Sequence, residues 1–492
     1  SKAQKALKEL PIRNLTSWSA LIAGYVQHGQ VHEALYYYDC MKSEGFVPDV
    51  VTFICILKAC GSLRDIDKGK EIHEEIQSRC LVQNDIILGN VLVDMYAKCG
   101  LFAKAKEVLE GLPIRNVVSW NSLIAAYAEK EEGHEALDCF SRMHRDGLHP
   151  NDVTFTCMLK ACGSIGAIDK GKQIHDDVIS GSLLEKNVIL GNALVDMYAK
   201  CNALSEAQNV LDGLPIRNVV SWSALISGYA QQDRGHEALD TFDKMQKEGF
   251  YPDAITFVGI LKACGSTWAI SKGKRIHEFI VTRGLLEKDI GLGNALVDMY
   301  AKFGMLAKAK QVLEQLSLRD IVSWNALIAG YAQQGEGHAA LTCFEEMQSH
   351  GLPPNDVTFL SVLSACTHSG LLAEAQTLFN DMTKKYGVVP NLEHHTCMVS
   401  VFGCVGNFDK AMAIIKVMPS SDDTAVWLAL LGACKKWGNV KLGRLVFSQT
   451  MQLDDSCSAA YVLMSNIFAA AGLQKDAEKI EAMKLKYAVC EA

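Results

Sequence analysis

Seventeen cysteines fall within 492 residues without a single CxxC among them, so the chain lacks the ligand spacing of a zinc ribbon or a dithiol redox pair. An excess of positive charge is missing too. The sequence has 48 Lys and Arg against 56 Asp and Glu, a formal net charge of −8, whereas a nonspecific nucleic-acid binder is usually basic. No apolar run is long enough to cross a bilayer and no signal-peptide pattern opens the chain, which leaves no membrane partner to expect. Hydrophobic residues at 49% and charged ones at 21%, with no low-complexity run, describe an ordinary globular composition.

What the chain does have is a period. Four copies of one 102-residue block begin at Leu15, Val117, Val219 and Ile321, opening as LTSWSALIAGY, VVSWNSLIAAY, VVSWSALISGY and IVSWNALIAGY. Later in the first three come NVLVDMYAKCG, NALVDMYAKCN and NALVDMYAKFG. Periodicity of this kind is the signature of a repeat architecture. Each block divides into pieces of 35, 36 and 31 residues, such as Val117 to Asn151, Asp152 to Asn187 and Val188 to Asn218. Trp120, Ile124 and Tyr127 share one helical face, and Glu135, Ala136, Phe140 and Met143 begin a second pattern of the same kind. The polar break EKEEGH between them carries Gly133, which suits a helix-helix turn. Pro48, Pro150, Pro252 and Pro354 recur just before the next piece, where proline disfavours helix continuation. Asp or Asn follows, with Thr or Ser soon after, a helix-start signal.

One helical hairpin cannot bury its apolar face alone, so stability must come from stacking into a superhelix. The expected fold class is therefore all-α, a superhelical solenoid of helix-turn-helix repeats. Cys60, Cys162, Cys264 and Cys366 keep the block period within LKAC or LSAC and read as small core hydrophobes in a reducing compartment.

The 35, 36, 31 order, with SWNSLI, MLKACG, GNALVDMYAKC and GLPIRN in their places, resembles the pentatricopeptide repeat family. More narrowly it resembles the plant subclass that alternates standard, long and short motifs and carries C-terminal extension motifs. The resemblance implies a right-handed α-α superhelix. It implies a partial short repeat over 1–14, twelve repeats over 15–423, and extension motifs over 424–457 and 458–492. The opening KAQKALKELPIRN parallels AKEVLEGLPIRN, so the chain is expected to be a fragment whose targeting segment has been removed. In the family such a tail is typical of organellar factors that direct cytidine-to-uridine RNA editing. A mitochondrial or chloroplast protein follows, with single-stranded RNA as partner and a cytidine deaminase domain or accessory editing protein engaged through the extension motifs.

A helical repeat can read one RNA base with two or three side chains. In the family the fifth residue of a motif and its last residue together select the base. Carried over, Ser19 with Asp49 and Ser223 with Asp253 imply guanine, as does Thr396 with Asp423. Asn294 with Asp320 implies uracil. Asn90 with Asn116, Asn121 with Asn151, Asn192 with Asn218, and Asn325 with Asn355 imply a pyrimidine, cytosine favoured. Long motifs carry Ile54, Val258 and Leu360 at position five and are expected to be spacers; Thr156 with Asn187 implies adenine or no selection. The implied target, 5′ to 3′, is G, any, Y, Y, A or any, Y, G, any, U, Y, any, G. Apolar residues at position two, Val51, Ile87, Val118, Val153, Ile189, Val220, Ile255, Val322 and Val357, are expected to stack on bases. Stacking tolerates any base, so affinity and specificity divide between the two positions. Thr16 and Gly291 depart from the apolar pattern.

Blander readings exist for each stripe. Trp18, Trp120, Trp222 and Trp324 have apolar neighbours at helical spacing and read as core. Lys98, Lys200 and Lys302 in MYAK are phosphate contacts or solvated charges. Cytidine deamination needs His-x-Glu with a later Pro-Cys-x-x-Cys; His73 and Glu75 supply only the first half. His394 and His395 are helix neighbours pointing apart, a poor metal pair. No catalytic residue, metal or cofactor is therefore expected in this chain, which ends at EAMKLKYAVCEA, where a longer family member would continue into a deaminase domain. Trp427 and Trp437 in the extension are core or contact. The rival readings are a factor for organellar transcript stability or splicing, and a protein-binding scaffold of the tetratricopeptide type, whose W-x2-L-G-x2-Y signature and uniform spacing are missing.

Overall fold

The computed structural model describes residues 14–83, 85–185, 187–287, 289–418 and 423–488. The partial repeat expected at the N-terminus, apart from Asn14, and the last four residues lie outside them. Regular structure among the described residues is helical throughout, and the helices come in pairs. The standard motifs open with Leu15–Gln27, Val117–Glu129, Val219–Gln231 and Ile321–Gln333, followed by Val31–Ser43, Gly133–Arg145, Gly235–Lys247 and Gly337–Ser349. Long motifs pair Asp152–Ile165 with Ile168–Ser180, and short ones Val188–Lys200 with the ten-residue Leu204–Gly213.

Except in the last hairpin, whose first helix Ser458–Ala470 follows Cys457 with no side-chain cap, the first helices start where they do because an Asn or Asp immediately before them takes a backbone N–H of the first turn. Asn14, Asn116, Asn151, Asn218, Asp320, Asn355 and Asn391 do so in reciprocal capping boxes with Ser, Thr or, at the last, His three residues on. Such a cap contributes on the order of 1 kcal/mol over alanine.

The chain forms two compact units, Ser1–Thr256 and Phe257–Ala492. Within each, backbones approach closely both within a hairpin, as between Val117–Glu129 and Gly133–Arg145, and between successive first helices, as between Ile321–Gln333 and Asp356–Ser369, and far less between successive second helices. In the first unit Trp18, Trp120 and Trp222 are at most 3% exposed, as is Trp324 in the second. These four tryptophans are core. Cys60, Cys162, Cys264 and Cys366 are fully buried as well.

In the second unit one apolar cluster runs from Leu363 and Cys366 through Met398 and Phe402 to Trp427, Leu430, Val446, Tyr461, Phe468 and Ile480. The pairs Thr424–Trp437 with Val440–Leu453 and Ser458–Ala470 with Gln474–Ala488 therefore share a core with the last repeat. Trp427 is buried there, whereas Trp437 is 53% exposed and donates Nε1–H to the Gly403 carbonyl at 2.9 Å.

Gly133 does not make the turn in which the sequence places it. The left-handed residue there is Glu131, φ 62°, while Gly133 is the first residue of the second helix. A Cβ on it would stand 2.6 Å from Ile165 Cγ2 and 2.7 Å from the Ala161 carbonyl, so the glycine lets the hairpin close on the next motif. Gly191 has a like role: its Cβ would meet Leu214 at 2.7 Å, which couples the GNALVD and GLPIRN segments of one motif.

Candidate functional site

The residue that ends one motif is the N-cap of the next motif's first helix, and this places it beside position five of its own motif. Asn121 donates Nδ2–H to Asn151 Oδ1 at 3.0 Å. The same oxygen takes the Thr154 backbone N–H at 3.0 Å. Asn325 and Asn355 repeat the arrangement at 3.2 Å, and Asn90 and Asn116 at 3.4 Å. In each pair the last residue holds the helix with its oxygen and keeps its own amide N–H groups for another partner.

The Ser and Asp pairs present different chemistry. Ser223 donates to Asp253 Oδ1 at 3.1 Å, and that oxygen also accepts from the Thr256 N–H at 2.8 Å. Ser19 lies 3.4 Å from Asp49 Oδ1, which takes the Thr52 N–H at 2.8 Å. Oδ2 of Asp253 is left without a protein hydrogen bond among the described residues, an acceptor for an incoming N–H. Asn294 donates Nδ2–H to Asp320 Oδ2 at 3.1 Å.

Three of the expected pairs do not meet through a hydrogen bond. Thr156 turns its hydroxyl to the Asp152 carbonyl at 2.8 Å, while Asn187 donates to the Asp152 carboxylate at 2.9 Å. Thr396 donates to the Leu392 carbonyl at 2.9 Å, and Asp423 accepts from the Ala425 N–H at 2.7 Å. Asn192 leaves Oδ1 buried without a partner, and Asn218 is occupied by the Ser221 N–H at 3.0 Å. The long-motif residues Ile54, Val258 and Leu360 are half-buried and have no group that pairs with a base edge.

Position two is the second residue of each first helix. Val51, Ile87, Val118, Val153, Ile189, Val220, Ile255, Val322 and Val357 are all between 49% and 68% exposed, one helical turn from position five. Apolar residues of this size, regularly exposed at one register, serve neither the core nor solubility. Thr16 and Gly291 break the row, and so does Glu393, which is exposed at the second position of Leu392–Cys404. Sequence inspection overlooked that carboxylate, although its register was legible.

The lysines sort by an i,i+4 pairing that the sequence reading passed over. Lys98, Lys200 and Lys302 each pair with an Asp four residues earlier, Asp94, Asp196 and Asp298, at 2.8 Å. Lys58, Lys160 and Lys262 recur seven residues after position two of the long motifs, on the same helical stripe, and form no ion pair among the described residues. Their signal was the LKAC repeat itself.

The histidines of the long motifs bond to tyrosines of the short ones: His73 to the Tyr96 hydroxyl at 2.8 Å, His175 to Tyr198 at 3.0 Å, His277 to Tyr300 at 2.8 Å. Burial lowers the pKa of all three imidazoles and raises those of Tyr96 and Tyr198 to about 12. His73 is thus part of a repeated buried contact. His394 reaches the Asp356 carbonyl at 2.9 Å and its neighbour His395 the Asn391 carbonyl at 2.8 Å, so the two point apart. Among the described residues no three His, Cys, Asp or Glu side chains converge as a metal site would require.

The model of the PPR repeat family matches residues 13–62, 115–164, 217–266 and 319–368, and that of the PPR repeat matches 51–81, 90–117, 294–321, 357–386 and 393–422. Two pentatricopeptide repeat-containing proteins of Arabidopsis thaliana are each 36% identical. One aligns over 92% of this chain and 70% of its own length; the other, named as chloroplastic, over 99% and 60%. Among solved structures, the pentatricopeptide repeat protein PPR10 in complex with an 18-nt psaJ RNA element superposes with a TM-score of 0.67 at 18% identity, covering 98% of this chain and 75% of that one.

Proposed function

The chain belongs to the pentatricopeptide repeat family, and from that membership we propose that it binds single-stranded RNA and selects bases motif by motif. The observation that carries this reading is the meeting of position five with the cap residue in six motifs, beside a regular row of exposed Val and Ile. A base resting on a position-two side chain brings its edge to the paired amides or to the free carboxylate oxygen. Asn pairs offer N–H groups to the O2 carbonyl and N3 of cytosine or to a carbonyl of uracil, whereas the Ser and Asp pairs offer an acceptor to the N–H groups of guanine. Lys58, Lys160 and Lys262, which form no ion pair among the described residues, are free to meet the sugar-phosphate chain. That a family relative in a solved structure carries an RNA element supports the ligand class.

The finer reading is that the bound RNA is an organellar transcript, mitochondrial or plastid, and that binding marks a cytidine for conversion to uridine. The 35, 36, 31 order over 15–423 and the two following hairpins, taken as extension motifs, support it. The chain reads and does not catalyse; a deaminase domain or an accessory protein engages the extension hairpins, where Trp437 lies exposed. The test is fluorescence anisotropy with the implied RNA and with a control in which its three guanines are adenines. Tighter binding of the implied RNA is expected. Equal binding overturns the base assignment, and failure to bind either RNA overturns the ligand class.

A further inference from the structure

We infer that the hydroxyl at the third position of a motif's first helix positions the base-selecting residue of the motif before it. This rests on the reading of position five as a base selector. In sequence the hydroxyl is half of a capping box and nothing more. In space it closes a ring through two asparagine side chains and its own residue's backbone N–H. Thr154 donates to Asn121 Oδ1 at 2.7 Å, Asn121 donates to Asn151 Oδ1 at 3.0 Å, and Asn151 Oδ1 holds the Thr154 N–H at 3.0 Å. Thr358 reaches Asn325 Oδ1 at 2.7 Å and Ser119 reaches Asn90 Oδ1 at 2.6 Å. Thr52 and Thr256 lie 2.7 and 2.6 Å from the hydroxyls of Ser19 and Ser223.

The ring decides which end of the amide a base meets. An asparagine side chain flipped by half a turn exchanges a donor for an acceptor. With Oδ1 held by Thr154 and one Nδ2–H held by Asn151, the group that Asn121 has left to present is its second N–H. Remove the hydroxyl and the buried oxygen loses its donor, which leaves the bond to Asn151 Oδ1 alone to hold the amide and loosens the donor pattern.

Two motifs lack the lock. Ser221 and Ser323 turn to the Asn218 and Asp320 carbonyls at 2.8 Å, and Asn192 and Asn294 keep Oδ1 buried without a partner. Ser221 still caps, because the Asn218 N–H reaches its oxygen at 2.9 Å. It therefore separates the capping role of the hydroxyl from the positioning role.

The experiment measures anisotropy of the full chain with RNAs that differ only at one nucleotide, pyrimidine or purine, opposite the Asn121, Asn192 or Asn325 motif. T154V is expected to lower the pyrimidine preference opposite Asn121 by about fivefold, the weight of one hydrogen bond, and to leave that opposite Asn325 unchanged. T154S restores it, and T358V reverses the pattern between the two nucleotides. S221A removes a cap but leaves the preference opposite Asn192 as it was. Should T154V fail to fold by circular dichroism, T358V makes the same comparison. An undiminished preference in T154V and T358V overturns the inference, as does an equal loss in S221A. A wild-type chain with no preference at these nucleotides overturns base selection itself, and the inference falls with it.

Discussion

Ser223 and Asp253 stand thirty positions apart in sequence and 3.1 Å apart in space, and they share the carboxylate oxygen that holds the next helix in place. The carboxylate is thereby divided: Oδ1 belongs to the fold, with the Thr256 N–H at 2.8 Å, and Oδ2 belongs to whatever arrives.

Exchanging Asp253 for Asn keeps the capping oxygen and replaces the free acceptor with an N–H2. Thermal stability is expected to change little, since Asn and Asp cap almost equally well. The preference at that nucleotide should move from guanine towards adenine, by about 1 to 3 kcal/mol of discrimination. Binding to RNAs varied at that one position measures it, and an unchanged preference would count against the register.

The exposed row predicts a different kind of loss. Val118→Ala and Val220→Ala should weaken binding of every RNA, by roughly 1 kcal/mol each at the low end of base-stacking contacts, without altering which base is preferred. Each side chain is more than half exposed, so the melting temperature should hold. A change in base preference instead would place these residues at the base edge.

Lys58, Lys160 and Lys262 should account for much of the salt dependence. Replacing each by Ala is expected to reduce the slope of log K against log salt by up to about 0.7, the weight of one phosphate contact on a single strand. Lys98→Ala should change it less, because that ammonium is already paired with Asp94 at 2.8 Å. Titrations at several salt concentrations distinguish the two sets.

Acid should loosen the long-to-short junctions. Burial lowers the pKa of His73, His175 and His277, so the folded chain binds fewer protons there than the unfolded chain does. The stability these groups contribute is fully present above the ordinary histidine pKa of about 6.5. It is lost as pH falls below that value and through the lowered folded one. Denaturant midpoints between pH 7.5 and 5 should fall, and His277→Gln should flatten the decline.

Much of the architecture was legible because every helix repeats its reasons. The Trp and Tyr spacing, the Asn or Asp caps and the prolines recur with the block, and chance does not produce four copies of one error. Pairing of position five with the cap was legible only through the family resemblance, since thirty residues separate Asn121 from Asn151. Thr156 and Asn187 show where carry-over from the standard motif fails. Asp152, a residue of the long motif's own first turn, captures both partners. Gly133 was misplaced because a glycine in a polar break looks like a turn, when here it answers a close approach from Ala161 and Ile165. The neutralised Lys98 was legible and overlooked, since Asp94 stands four residues before it on one helical face.

The cap that ends each motif also bounds how such an array can change over generations. A helix start accepts Asn, Asp, Ser or Thr with little penalty and resists most other side chains. Variation at Asn116, Asn151, Asp253 and Asp320 is therefore confined to a short polar alphabet, and Asn and Asp differ by a single nucleotide in the codon. One such change alters the outward-facing atom and leaves the scaffold standing, so a lineage of these arrays can drift across targets without passing through an unfolded intermediate.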